Sequence, residues 1–133
     1  MDITQLYIQQ KFGDIKPWYS ETDSIQGVIT GSTNVIQGNF TNEKVKVIVC
    51  TNIWICYNSA ISPVQITDVF GNKIFETPAA PATDTQLMGM FPFDYIIDGS
   101  AMRFIANKAN FKFTIYFTKV KYKFKQFVEV IKG

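Results

Sequence analysis

The chain contains no histidine. That absence removes Ser-His and Cys-His nucleophile pairs, the commonest acid-base catalyst and the commonest metal ligand. Cysteine is scarce, with only Cys50 and Cys56, and two cysteines without histidine make no zinc site. On one extended strand their Cα atoms stand about 20 Å apart, whereas a disulfide needs less than about 7 Å. Pairing would require the chain to fold back at Asn52–Ile53. The spacing favours buried free thiols, as expected of a protein made in a reducing compartment. No apolar run reaches the length of about 18 residues that a membrane span needs. The opening MDITQLYIQQKFGD lacks a basic start followed by an apolar block, so no secretory signal is expected.

Other chemistry is missing too. The carboxylates are scattered. Asp94 and Asp98 are the nearest plausible pair, sharing a face if they lie on a strand. A glycosidase needs two carboxyls about 5 to 9 Å apart across a cleft, and a turn-forming Asp98-Gly99 is the plainer reading. The stretch GVITGSTNVIQG has three glycines but neither GxGxxG spacing nor a following Lys-Ser/Thr, so it is no phosphate loop. No Ser-x-x-Lys spacing offers a lysine base. The expectation is a protein that is not an enzyme and that takes no metal or cofactor.

What is present is apolar and aromatic: 47% hydrophobic and 15% aromatic residues in 133 positions. One domain of that size buries roughly two-thirds of the surface its unfolded chain exposes. Residues 1–12 read as a short N-terminal helix or arm. Asp2 caps it, Gln5 sits at the capping-box position, Ile3, Leu6 and Tyr7 share a face, and Gly13 ends it. It closes the domain's own core or docks on a neighbouring subunit. Residues 13–133 read as a β-sandwich. Residues 13–43 are turn-rich, with short strands at GVITG and NVIQGNF.

Strong alternation starts at Lys44. Val45 to Tyr57 exceeds a usual strand, which predicts a bend or hairpin near Thr51–Asn52. Its second half, with Trp54 and Cys56, reads as covered on both faces. Gly71–Asn72 marks a two-residue hairpin turn inside QITDVFGNKIFET. PAAPATDTQ is a loop, and a strand over Phe91–Ile97 leads to the turn at Asp98-Gly99-Ser100. Phe111, Phe113, Ile115 and Phe117 form one apolar face. The alternation then changes phase, which predicts a bulge near Thr118. Phe124, Phe127, Val128 and Ile131 also fit helical spacing, but their residue types favour strand. Eight to ten short strands argue an all-β fold: a single antiparallel β-sandwich, with a jelly-roll-like winding as one form it can take.

Charge is unevenly placed. From Ala101 onward eight Lys/Arg face one acid, a balance of +7, against −5 in the first hundred residues. Such polarity points to an oriented partner. TKVKYKFKQF sets Lys119, Lys121, Lys123 and Lys125 on one strand face. Three readings stand. The row protects an exposed edge. It makes an ion-pair array to an acidic neighbouring subunit. Or it binds single-stranded nucleic acid, which is disfavoured because Tyr122 and Phe124 fall on the opposite face. Among the aromatics, Trp54 reads as buried rather than as a sugar platform. Trp18 and Tyr19, after Pro17, are better exposed candidates, with Phe91 and Phe93 behind them.

The order of segments is familiar. Thr51-Asn52-Ile53-Trp54-Ile55-Cys56-Tyr57 runs into Asn58, Ser59 and Pro63. Phe91 to Ile97 with Asp98-Gly99 follows, then Met102-Arg103-Phe104-Ile105-Ala106 and Phe113 to Phe117. The pattern resembles small β-sandwich structural proteins of tailed bacteriophages, of the capsid-decoration or head-fibre kind. It covers residues 45 to 117. The hairpin from Gln65 to Thr77 and the loop to Gln86 look like an insertion, and the Lys-rich tail has no counterpart. The resemblance implies an auxiliary virion protein, made in the host cytoplasm, that binds the major capsid protein or other virion subunits alone or as a small homo-oligomer. Expected contacts are Ile3, Leu6 and Tyr7, the aromatics Trp18 and Tyr19, and the lysine row. The alternatives are a carbohydrate-binding sandwich on a fibre or tail, and a single-strand nucleic-acid binder.

Overall fold

The computed structural model describes residues 19–81 and 83–121. These form β1 (Tyr19–Ile29), β2 (Val35–Asn39), β3 (Val47–Asn58), β4 (Gln65–Thr67), β5 (Lys73–Glu76), β6 (Gln86–Asp98), β7 (Ala101–Ala106) and β8 (Phe111–Lys121). The expected helix or arm at residues 1–12 lies outside the described residues, and so does the tail beyond Lys121.

The strands make two four-stranded sheets, ordered β1-β8-β3-β6 and β2-β7-β4-β5. Antiparallel pairs join β4 to β5, β3 to β6, β2 to β7 and β1 to β8. The chain is thus one long hairpin, turning between β4 and β5 and rolled up so that successive rungs fall in alternate sheets. Pairings β3–β8 and β4–β7 lock the roll. This is the double-sheet jelly roll. The Gln65–Thr77 hairpin, which the sequence made an insertion, is the turning point of the whole winding. The Asp98-Gly99-Ser100 turn carries the chain from one sheet to the other.

The core lies between the sheets. Ile53 and Ile55 from β3 and Phe113, Ile115 and Phe117 from β8 meet Ile36, Ile66, Phe75 and Phe104 from the other sheet. Phe93 and Phe104 touch edge to face with centroids 5.3 Å apart, and Tyr95 packs on Phe104 at 5.5 Å. Each such side chain contributes about 1.5–3 kcal/mol by leaving water.

β3 is one strand of 12 residues with a bulge, not a hairpin. Cys50 pairs with Phe117 and Asn52 with Tyr116, so Thr51 is supernumerary against β8. One extra residue exchanges the faces. Ile48 and Cys50 before the bulge therefore point inward together with Ile53, Ile55 and Tyr57 after it. Cys50 and Cys56 lie on opposite faces, and both are free and buried. Burial pushes the Cys50 thiol up to about 12, which keeps it protonated and unreactive.

Four expectations need correction. The register of β8 against β1 is unbroken from Tyr19↔Lys121 to Ile29↔Phe111, so no bulge occurs at Thr118. The apparent phase slip arises because Lys119 keeps the inward parity of Phe117, while Val120 is buried on the opposite face with Val47 and Val49. β8 lies between β1 and β3 at Lys119, so that lysine does not guard an edge, while Lys123 and Lys125 of the same row lie outside the described residues. The turn-rich region 13–43 contains an 11-residue strand, β1, whose polar outer positions hid it. The β4–β5 connection is a five-residue loop, Asp68 to Asn72, not a two-residue turn.

Candidate interaction surface

Lys119 is the most unusual side chain of the described residues, a lysine only 3% exposed. β8 aims it inward where the core ends. Its ammonium lies 3.1 Å from the Asp23 carboxylate and 3.7 Å from Glu21, both on β1, and it bonds Glu43 in the short 3-10 turn Thr41–Glu43. The Phe40 ring sits 5.4 Å from the ammonium. Burial pulls the lysine's pKa down, but Glu43 and Asp23 outweigh it and hold the pKa above the ordinary value. Asp23 is held below the usual carboxylate range by the Ser24 backbone N–H and then by Lys119. One C-terminal cation is therefore answered by three N-terminal acids of the same chain. The charge asymmetry read from the sequence is partly an internal matter.

The outer face of the β1-β8-β3-β6 sheet is different. Met88 and Met90 on β6 are 67% and 53% exposed, and Tyr116 on β8 is 39% exposed. Trp54 lies between Met90 and Thr114 in register. It is half-buried on this outer face, not covered on both sides as the sequence led one to expect. Where the Thr51 bulge disturbs the β3–β8 pairing, a groove of about 400 Å³ opens, lined by Thr22, Asp23, Thr51, Asn52, Met90, Tyr116, Phe117 and Thr118. Its polar rim is largely committed: Asp23 to Ser24 and Lys119, and the Thr51 hydroxyl to the Tyr116 carbonyl at 3.3 Å.

A second exposed feature is the β4–β5 loop. Val69 and Phe70 at its tip are 51% and 84% exposed. The Asp68 carboxylate organises the loop. It accepts hydrogen bonds from the backbone N–H groups of Phe70 and Asn72, each at 2.9 Å, from the Asn72 side chain at 3.0 Å and from the Tyr95 hydroxyl at 3.2 Å. These donors, Asn72 first, hold Asp68 below the usual carboxylate range. Burial, with Asp68 alongside, pushes the Tyr95 hydroxyl up. Gly71 takes φ +88°, which only glycine adopts without strain.

Of the expected contact residues, Ile3, Leu6, Tyr7, Trp18, Lys123 and Lys125 lie outside the described residues. Tyr19 opens β1 opposite Lys121, which is half-buried at the end of β8. Lys119 is turned inward and engaged within the chain. Phe93, expected as an exposed aromatic, is a core residue, and Phe91 is half-buried against Phe75 at 5.7 Å. Asp94 and Asp98 share the outer side of β6 with Ile96 between them, about 13 Å apart by strand rise and beyond hydrolase spacing. Among the described residues no group of three His, Cys, Asp or Glu side chains could hold a metal. The Phe70 knob and the groove at Thr51 were not found from sequence. The VFGN turn was a visible signal for the first; the bulge that makes the second depends on strand partners.

No family model matches the chain, and no curated protein matches it. Among solved structures it is similar to the Drosophila NLP core, a protein studied for pentamer formation and histone binding. That likeness has a TM-score of 0.45 and 12% identity over 77% of this chain and 100% of that one. It is similar also to VP2 in the infectious bursal disease virus subviral particle, with a TM-score of 0.38 and 7% identity over 84% of this chain and 35% of that one. The T13 particle of the same virus gives a TM-score of 0.34 and 7% identity over 79% and 32%. The chain spans about a third of the length of these viral chains.

Proposed function

We propose that the chain is a non-enzymatic structural protein of a tailed-bacteriophage virion, an auxiliary or decoration protein that binds the assembled capsid. The observation that carries this reading is the outer face of the β1-β8-β3-β6 sheet. It presents Met88, Met90 and Tyr116 to solvent on a rigid jelly roll. Contiguous exposed apolar surface on a well-packed domain marks an interaction site. A standard interface buries about 1,600 Å², and its affinity depends on the few anchors at its centre, for which Met88, Met90 and Tyr116 are the candidates here. Residues 1–12 and the lysines beyond β8 extend the contact.

The test is co-sedimentation with assembled capsids and, separately, with unassembled coat protein. Wild-type chain is expected on capsids only. Met88→Asp is expected to release it, and so is removal of residues 1–12. Full binding by both variants would sink the reading.

A second reading has one observation in its favour. Trp54 is half-buried on the outer face beside exposed Asn52, so an aromatic platform with a polar neighbour exists. That is the minimal chemistry of a glycan site. A glycan array that stays silent removes this alternative.

A further inference from the structure

The chain displays a knob and a groove that it cannot bring together by itself. The knob is the β4–β5 loop, where Phe70 is 84% exposed with Val69 beside it. Four hydrogen bonds to the Asp68 carboxylate fix the loop, and the one from Tyr95 fastens it to the facing sheet. A loop whose backbone is already held in one arrangement loses less freedom on docking than a mobile one. Aromatic anchors of this kind dominate interface energetics.

The groove lies on the outer face of the other sheet. Met90 and Tyr116 wall it, and Phe117 contributes at the bulge. It is an open depression of about 400 Å³ with a mainly apolar lining. Methionine adapts to an incoming ring and makes favourable sulfur–aromatic contacts. The rim's carboxylate is already engaged with Ser24 and Lys119, so the groove does not call for a charged guest. An apolar ring is the guest that its chemistry suits.

We propose that the Val69–Phe70 knob of one copy seats in the Met90–Tyr116 groove of a second copy. Knob and groove belong to different sheets, so the contact is heterologous, head to tail, and an open chain of copies keeps one free knob at one end and one free groove at the other until a ring closes. One anchored loop buries far less than the roughly 1,200 Å² of a stable interface. A single contact is therefore weak, and ring closure or a lattice that holds copies side by side makes it persist. The groove shares Met90 and Tyr116 with the face proposed for capsid binding, but this inference is read on the purified chain alone, so its failure is distinguishable from failure of that reading.

Sedimentation equilibrium over concentrations from about 10 μM to about 1 mM tests it. Wild type is expected to self-associate within that range. Phe70→Ser is expected to weaken association about tenfold or more, and Met90→Glu likewise. Both positions are exposed, so circular dichroism is expected to show folded variants. The decisive arm mixes the two. Phe70→Ser keeps an intact groove and Met90→Glu keeps an intact knob, so the mixture is expected to form a dimer that grows no further. A wild type that stays monomeric throughout overturns the proposal. So does a Phe70→Ser variant that associates like wild type, or a mixture that stays monomeric.

Discussion

The ammonium of Lys119 lies 3.1 Å from the carboxylate of Asp23, across the pairing of β8 with β1. The two sit at unequal depth: Lys119 is 3% exposed and Asp23 44%. The cation is therefore the buried partner and the acids are the solvated ones. That inequality decides what each substitution does.

Lys119→Met keeps the apolar stem and removes the charge. The carboxylates left behind are reached by water, so the expected loss is about 1–3 kcal/mol. Removing the acids instead, with Asp23→Asn and Glu43→Gln together, leaves a buried ammonium short of partners. That costs more, toward the 3–5 kcal/mol of a broken buried pair. Urea unfolding of the two variants gives the order. A smaller loss for the acid double variant would show that the lysine escapes to solvent.

The pH dependence has two limbs. Asp23 and Asp68 titrate below their ordinary range in the folded chain, so each stabilises above the unfolded carboxylate pKa of about 3.9. That contribution is lost as pH falls through the folded values. Lys119 is raised, so its contribution is complete below the unfolded lysine pKa of about 10.4 and is lost as pH rises through the folded one. Thermal melts are expected to plateau between these limits. Asp68→Asn is expected to flatten the acid limb, since the amide does not titrate. An acid limb identical to wild type would remove Asp68 from the account.

Thr51 is expected to tolerate exchange but not deletion. Thr51→Ser keeps the supernumerary residue and its hydroxyl, and the expected change is within about 0.5 kcal/mol. Deleting Thr51 removes the bulge and sends Ile53, Ile55 and Tyr57 to the outer face, or forces β3 out of register with β8. Loss of a cooperative transition and of dispersed amide resonances is the expected result. A deletion variant that melts like wild type would mean that the bulge does not set the faces.

The fold class was legible because alternation and turn residues are local. Phe111, Phe113 and Phe117, with Ile115 completing the row, announce a buried face without knowledge of any partner. β1 was not legible as a long strand. Its outer positions, such as Thr22 and Ser24, face water and need no apolar residue, and its partner lies about ninety positions away in sequence. Lys119 misled for a related reason. A lysine in an alternating pattern reads as solvent-facing, and only the approach of Glu21, Asp23 and Glu43 makes an inward lysine tolerable. Cys50 and Cys56 share a parity in sequence but not in space, because Thr51 intervenes. The groove was invisible on the same account: bulges arise from pairing, and pairing is not written in one strand.

The winding carries a consequence for biosynthesis. β8 fills the slot between β1 and β3, so the first and third strands have no common neighbour until the eighth has left the ribosome. Long-range pairings of this kind form slowly, and open strand edges invite aggregation meanwhile. The nascent chain thus waits, with its principal sheet divided, for the segment that carries Lys119. The acids at Glu21, Asp23 and Glu43 are all made before the cation they receive, Glu43 preceding Lys119 by 76 positions.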